Sequence, residues 1–131
     1  MVFWSGTDRQ MTTMEPALVF AEVTGVIRIW NSGAEALFGH RAEDAVGRTL
    51  DLIVPPEYRE RHWVGFRAAM TAGDGKVDRA AANVPAMHRD GTVVRVAVRL
   101  LVIHDARDRA TGALAVFAQD DDDAAPPLPR L

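Results

Sequence analysis

The sequence predicts an α+β fold, a five-stranded antiparallel sheet with helices packed on one face, in a single domain. Two strand-like stretches joined by a glycine turn open the folded region, helix signals fill its middle, and three more strand-like runs follow one another at its end. Strands grouped in this way leave the helices on one side of an antiparallel sheet. A chain of 131 residues closes one modest core and is too short for two, and 48% apolar with 25% charged residues marks a globular domain.

ALVFAEV (17–23) and VIRIW (26–30) flank Thr24-Gly25, a two-residue connection suited to a hairpin. Asn31-Ser32 then offers a capping pair for a short helix, AEALF, which Gly39 stops. RAEDAVG repeats that form on a smaller scale, and TLDLIVPPEY leads through a Pro-Pro break into a long helix over 56–73. AAANVPAMH (80–88), TVVRVAVRLLVIH (92–104) and GALAVFAQ (112–119) are strands separated by turns at Arg89-Asp90-Gly91 and DARDRATG. In the middle strand Val94, Val96, Val98, Leu100 and Val102 alternate with Arg95, Ala97 and Arg99, so the even positions face the core. The outer face then carries Val93, Leu101 and Ile103 among Arg95 and Arg99, too much aliphatic area to leave bare.

Residues 1–15 read as an N-terminal extension in which Phe3, Trp4, Met11 and Met14 are too apolar for a free tail. They suit a helix packed on the sheet or against a second subunit, and the second arrangement is the basis for expecting a homodimer. Residues 16–120 form the folded domain. Residues 121–131 are acidic, Pro-rich and without period, the composition of a disordered tail.

The net charge of −3 comes from the tail region, because residues 1–119 hold 14 basic and 14 acidic residues. No basic stripe is available, so nucleic acid is not an expected partner. No apolar run approaches the roughly 18 residues of a membrane span, and MVFWSGTDRQ lacks a secretory start, so the expected location is the cytoplasm, with no membrane partner. Cysteine is absent, which excludes disulfides, thiolate metal sites and any cysteinyl adduct to a chromophore. The four histidines, His40, His62, His88 and His104, sit on different elements, and their positions do not suggest a shared multi-histidine metal site.

The long helix contains an oddity. At 100° per residue Tyr58, His62, Gly65, Phe66, Ala69 and Gly73 share one face, with Glu60, Arg67 and Thr71 opposite. A histidine therefore stands in the apolar stripe. An inward imidazole without a partner carries a desolvation cost, so it is either a packed residue bonded to backbone or water, or a ligand.

The segment VTGVIRIWNSGAEALFGHRAEDAVGRTLDLIVPPEYRER resembles the first half of a PAS domain: a strand hairpin, Asn, a small helix ending in Phe-Gly-Tyr, an acidic turn and Gly-Arg. Asn31, Ala34, Leu37, Phe38, Gly39, Glu43, Gly47 and Arg48 match, with His40 in place of the tyrosine. MHRDGTVVRVAVRLLVIHDARDRATGALAVFAQD resembles the second half, with its Arg-Asp-Gly turn between long strands. The resemblance spans roughly residues 16–120 and implies a PAS fold, a sensory and dimerising domain with an internal pocket between the long helix and the sheet.

Within that family the light-sensing flavin and yellow-chromophore types require a cysteine, which this chain lacks. The haem-binding FixL type carries its proximal histidine four residues after the Tyr of Pro-x-Tyr-Arg and eleven before the glycine that ends the helix. His62 stands four after Tyr58 and eleven before Gly73. The resemblance thus implies b-type haem as a cofactor, His62 as the metal ligand, and Tyr58, Phe66 and Ala69 as its neighbours on the helix. Ala82 and Val84, beside Ala80, supply small residues on one facing strand, and Val98 and Leu100 are the expected wall on the next.

FixL-type sensors also place an oxygen-bonding Arg eight residues before the Asp of the Asp-Gly turn. Here that position is Ala82, and Arg79 is three residues out of register. The oxygen switch is therefore not implied along with the haem, and CO, NO, redox state or a second protein ligand are open. The alternative reading is a PAS module that binds another small hydrophobic ligand or none and acts in protein–protein interaction.

His40, His88 and His104 lie at element ends where solvent contact is the ordinary state, and Glu43, Asp44 and Asp51 read as capping or surface groups. Trp63 at the stripe edge reads as packing. No nucleophile, base and orienting acid form a set, so no enzyme activity is expected. The chain contains no recognisable output module, so the signal is expected to pass to a separate partner protein or through the dimer.

Overall fold

The computed structural model describes residues 15–71 and 78–120. Its element order is β1 (Ala17–Glu22), β2 (Ile27–Trp30), α1 (Ser32–Phe38), α2 (Ala42–Ala45), α3 (Arg59–Thr71), β3 (Asp78–Met87), β4 (Val93–His104) and β5 (Ala110–Gln119), with single 3₁₀ turns at Leu50–Leu52 and Pro56–Tyr58. The five strands form one antiparallel sheet in the order β2-β1-β5-β4-β3. The expected α+β arrangement is observed, helices on one face included. Phe3, Trp4, Met11, Met14, Gly73 and the acidic tail 121–131 lie outside the described residues.

The first hairpin is looser than Thr24-Gly25 suggested. Gly25 takes a left-handed φ of 87°, and Val26 bridges Thr49 while its carbonyl accepts from Glu22 N–H, so four residues separate the strands. A Cβ on Gly25 would lie 2.3 Å from the Trp63 indole, so this turn is also where α3 rests on the sheet. The long helix is likewise divided. Proline cannot donate the early helical hydrogen bonds, and Pro55-Pro56 yields a 3₁₀ turn before the α-helix begins at Arg59.

Asn31 joins three segments. Its Oδ1 accepts from the backbone N–H of Ala34 at 2.9 Å, capping α1, and from Leu18 N–H at 2.8 Å; its Nδ2 donates to the Pro16 carbonyl at 3.0 Å. Asn31→Ala removes these three bonds and a longer one to Glu15 Oε2 at 3.5 Å, and a stability loss of about 2 kcal/mol is expected in urea unfolding. A loss no larger than that of an exposed control substitution would show that water replaces the side chain without cost.

Between Ala81 and Val84 the β3–β4 register shifts, so Ala82 and Asn83 oppose Ala97 alone. Asn83 adopts φ 58°, and its N–H donates to the buried Asp120 carboxylate at 2.8 Å. Asp120 in turn donates its own N–H to the Arg95 carbonyl at 2.8 Å, so the end of β5 holds the bulge in place.

The main core gathers Val19, Ile27, Trp30, Phe38, Val96 and Phe117 between α1 and the sheet. A second, smaller cluster joins Ala21, Phe66 and Ala113 under α3. On the outer face Val93 and Ile103 are 51% and 39% exposed, whereas Ala97 and Arg99 are buried.

Candidate functional site

Helix α3 meets the sheet chiefly through Phe66 and Ala69, its two buried residues. Its first turn is tied down by polar bonds. Arg59 donates to the carbonyls of Val54 (3.0 Å) and Asp51 (3.2 Å), and Trp63 Nε1 donates to Asp51 Oδ1 at 2.7 Å. Because α3 is pinned at this end and packed through small residues further along, a cavity of about 630 Å³ opens between helix and sheet. That volume lies inside the range of about 300–1,000 Å³ usual for small-molecule sites.

Tyr58, His62, Phe66 and Ala69 line it from the helix side, and Val84, Val98 and Leu100 from the strands. Ala113 and Ala115 of β5, small residues that the sequence did not single out, form part of its sheet wall. No heavy atom lies within 4 Å of a Cβ built on Gly65, which also lines the cavity.

Ala82 does not line the cavity. The bulge moves the inward set of β3 to Arg79 and Ala81 before it and to Val84 and Ala86 after it. Arg79 pairs with the wall residue Leu100, and Ala80 with Arg99 of the outer face, so Ala80 also faces away. Simple alternation counted back from the Asp-Gly turn is wrong by one residue beyond Asn83, because each inserted residue exchanges the faces of a strand.

Among the described residues, His62 Nδ1 is buried and has no hydrogen-bond partner. Its ring lies 4.9 Å from Trp63 and 6.1 Å from Phe66, centroid to centroid. Burial pushes the His62 pKa below its ordinary 6.5, against a smaller upward pull from Asp51. The imidazole is therefore neutral at pH 7, the form able to donate a lone pair to a metal. The same depression makes the fold lose stability as pH falls below about 6.5, where the unfolded chain binds a proton that the folded chain resists.

The remaining polar lining is cationic. Arg61 and Arg79 both border the cavity, and the Arg61 guanidinium lies 5.6 Å from the centre of the Tyr58 ring. Elsewhere His40 and His88, which sequence position kept apart, come together around a separate cleft that also includes Asp51. His104 has a buried Nε2 without a hydrogen-bond partner among the described residues and lines neither space. No helix of the described residues is long and apolar enough to cross a membrane.

Comparison with known proteins follows the same architecture. The family model described as PAS fold matches residues 7–120. An uncharacterised protein of Azorhizobium caulinodans is 30% identical over 114 residues, covering 86% of this chain and 15% of its own. The sensor protein FixL of Bradyrhizobium diazoefficiens is 28% identical over 80 residues, covering 61% of this chain and 16% of its own. This chain thus spans about a sixth of the length of these curated relatives. Among solved structures, the PAS domain of a protein from Colwellia psychrerythraea superimposes with a TM-score of 0.68 at 21% identity, over 88% of this chain and 97% of that one.

Proposed function

Because the chain belongs to the PAS family, a family of sensory domains, we propose that it is a cytoplasmic, non-catalytic sensor domain that holds b-type haem in the cavity beneath α3 and responds to a gas or to redox state. The observation that carries this reading is the neutral, buried and unpartnered His62 nitrogen in the wall of a largely apolar space of about 630 Å³. A polar atom in that position is costly unless something bonds the ring, and a metal bound to the imidazole would offset that cost.

The residues present fit such a group. Gly65, Ala69, Ala81, Ala113 and Ala115 leave width for a flat macrocycle, and Phe66 and Leu100 supply apolar contact. Arg61 and Arg79 suit the two carboxylates that haem b carries, through charge-assisted bonds. When bound, haem supplies an iron centre sensitive to diatomic gases and to oxidation state. The protein holds His62 neutral and ties the first turn of α3 to Asp51 through Trp63, the residue next to His62. Arg79, rather than Ala82, is the polar residue of β3 that reaches the ligand space.

A second reading rests on one specific observation. Histidines that bind metals generally pass their other ring N–H to an acceptor, and with a metal on the buried Nδ1 the remaining ring nitrogen of His62 has no hydrogen-bond partner among the described residues. In this reading the cavity accepts another small hydrophobic ligand or none, and the domain acts in protein–protein interaction. Hemin uptake separates the two. Haem-supplied protein is expected to develop a Soret band, and a protein that stays colourless after exposure to hemin overturns the haem reading.

Under either reading we propose a homodimer that signals to a partner protein. Val93 and Ile103 leave aliphatic area on the outer face of β4, and the apolar residues Phe3, Trp4, Met11 and Met14 precede β1 closely enough in sequence to cover it across a two-fold axis. Deleting residues 1–14 should shift the protein from dimer to monomer in sedimentation. A full-length chain that is monomeric at high micromolar concentration would contradict the dimer.

A further inference from the structure

We propose that the cleft bounded by His40, Arg48, Arg59, His88 and Arg89 is a binding site for a compact phosphate dianion, separate from the cavity under α3. The cleft has a volume of about 350 Å³ and also takes in Asp51. Three guanidinium groups and two imidazoles converge on it from four segments: the α1–α2 connection (His40), the loop after α2 (Arg48), the start of α3 (Arg59) and the β3–β4 turn (His88, Arg89).

The positive charge is largely uncompensated. Asp51 is the one carboxylate lining the cleft, and it is engaged by Trp63 Nε1 at 2.7 Å and lies 3.9 Å from Arg59. Asp90 stands beside His88 at 3.1 Å but is already held by the hydroxyl and N–H of Thr92. Among the described residues, the side chains of Arg48 and Arg89 have neither a hydrogen bond nor an ion pair. Arg59 is held to backbone carbonyls and sits as a fixed edge.

Electrostatic strain in the cleft shows at His40. Its pKa is lowered, first by burial and then by Arg89, Arg48 and His88, with only Asp44 pulling the other way. These like charges lie close enough to act on one ring. The backbone that carries the ring is fixed in place, because the His40 carbonyl accepts from Trp30 Nε1 at 2.9 Å. Packing limits His88 equally: a Cβ on Gly39 would lie 2.6 Å from its ring. Planar guanidinium forks facing a preformed concavity match the oxygens of phosphate, and a dianion would relieve the repulsion among the three guanidinium groups.

The test uses the full chain and amide NMR at fixed pH and ionic strength. Inorganic phosphate is titrated against sodium chloride as the control, with the Trp30 indole N–H and the Gly39, His40 and Arg89 amides as reporters. Phosphate should give saturable shifts confined to these signals, and Arg48→Gln with Arg89→Gln should weaken binding at least about tenfold while the spectrum stays folded. A parallel titration with phenyl phosphate identifies the source. Tighter binding than inorganic phosphate indicates a phosphoryl group carried on a larger molecule, and equal or weaker binding indicates the free ion. Shifts that sodium chloride reproduces, or that saturate unchanged in the double variant, overturn the proposal. Because the readout does not involve His62 or hemin, its failure is distinct from failure of the haem reading.

Discussion

His62→Ala is expected to abolish or strongly shift the Soret band of haem-supplied protein while leaving the fold intact. Both halves of the result follow from the same geometry. The imidazole is the one histidine ring lining the cavity, so among the described residues no other histidine takes its place at the iron. Its buried Nδ1 makes no hydrogen bond there, so truncation removes a polar atom that contributed nothing to folding. Stability without haem should therefore change by no more than about 1 kcal/mol, since deleting an unpaired buried polar group offsets much of the lost packing. The space left by His62→Gly should admit free imidazole, and imidazole added to the buffer should restore a band close to that of the wild type. Rescue would separate ligation from packing, because a ring that only filled volume has no reason to restore the spectrum. A variant with an unaltered Soret band would show that His62 does not bind the iron.

Phe38→Ala should have the largest effect on the fold, a loss of about 3–5 kcal/mol. Phe38 is 0% exposed. Its ring meets Phe117 edge-on at 5.1 Å and Trp30 at 5.5 Å, so it joins α1 to β5 and β2 together. The backbone around it is fixed as well, because Gly39 closes α1 at φ 86° and the Phe38 carbonyl accepts from Arg89 N–H at 2.8 Å. Such a site cannot collapse to fill the void, and cost rises with the volume left empty. Against a typical total of about 5–15 kcal/mol, the loss takes the variant to the edge of unfolding. Urea unfolding measures it, and a loss below about 1.5 kcal/mol would mean that α1 slides inward to repack.

Much of this protein was readable from the order of its residues. The alternation of Val94, Val96, Val98, Leu100 and Val102 with polar neighbours put the correct face of β4 on the core, Gly39 marked the end of α1, and helical spacing turned His62 towards the sheet beside Tyr58, Phe66 and Ala69. These signals are local. They depend on the 2-residue and 3.6-residue repeats of regular backbone, which hold wherever the element is unbroken.

Tertiary structure decided what local repeats do not carry. The bulge at Ala82-Asn83 exchanged the faces of β3 and brought Arg79 instead of Ala82 to the cavity, a one-residue event held by Asp120 from the end of β5. The meeting of His40 and His88 with Arg48, Arg59 and Arg89 joins segments up to 49 residues apart. The volume beneath α3 depends on how far Trp63, resting on Gly25 and bonded to Asp51, holds the helix off an alanine-rich sheet. Sequence by itself determined the α+β class, the strand faces up to the bulge and the inward histidine. The final position of each charged group was set by long-range packing, because a side chain's neighbours across a sheet depend on register, and register is fixed by contacts between distant parts of the chain.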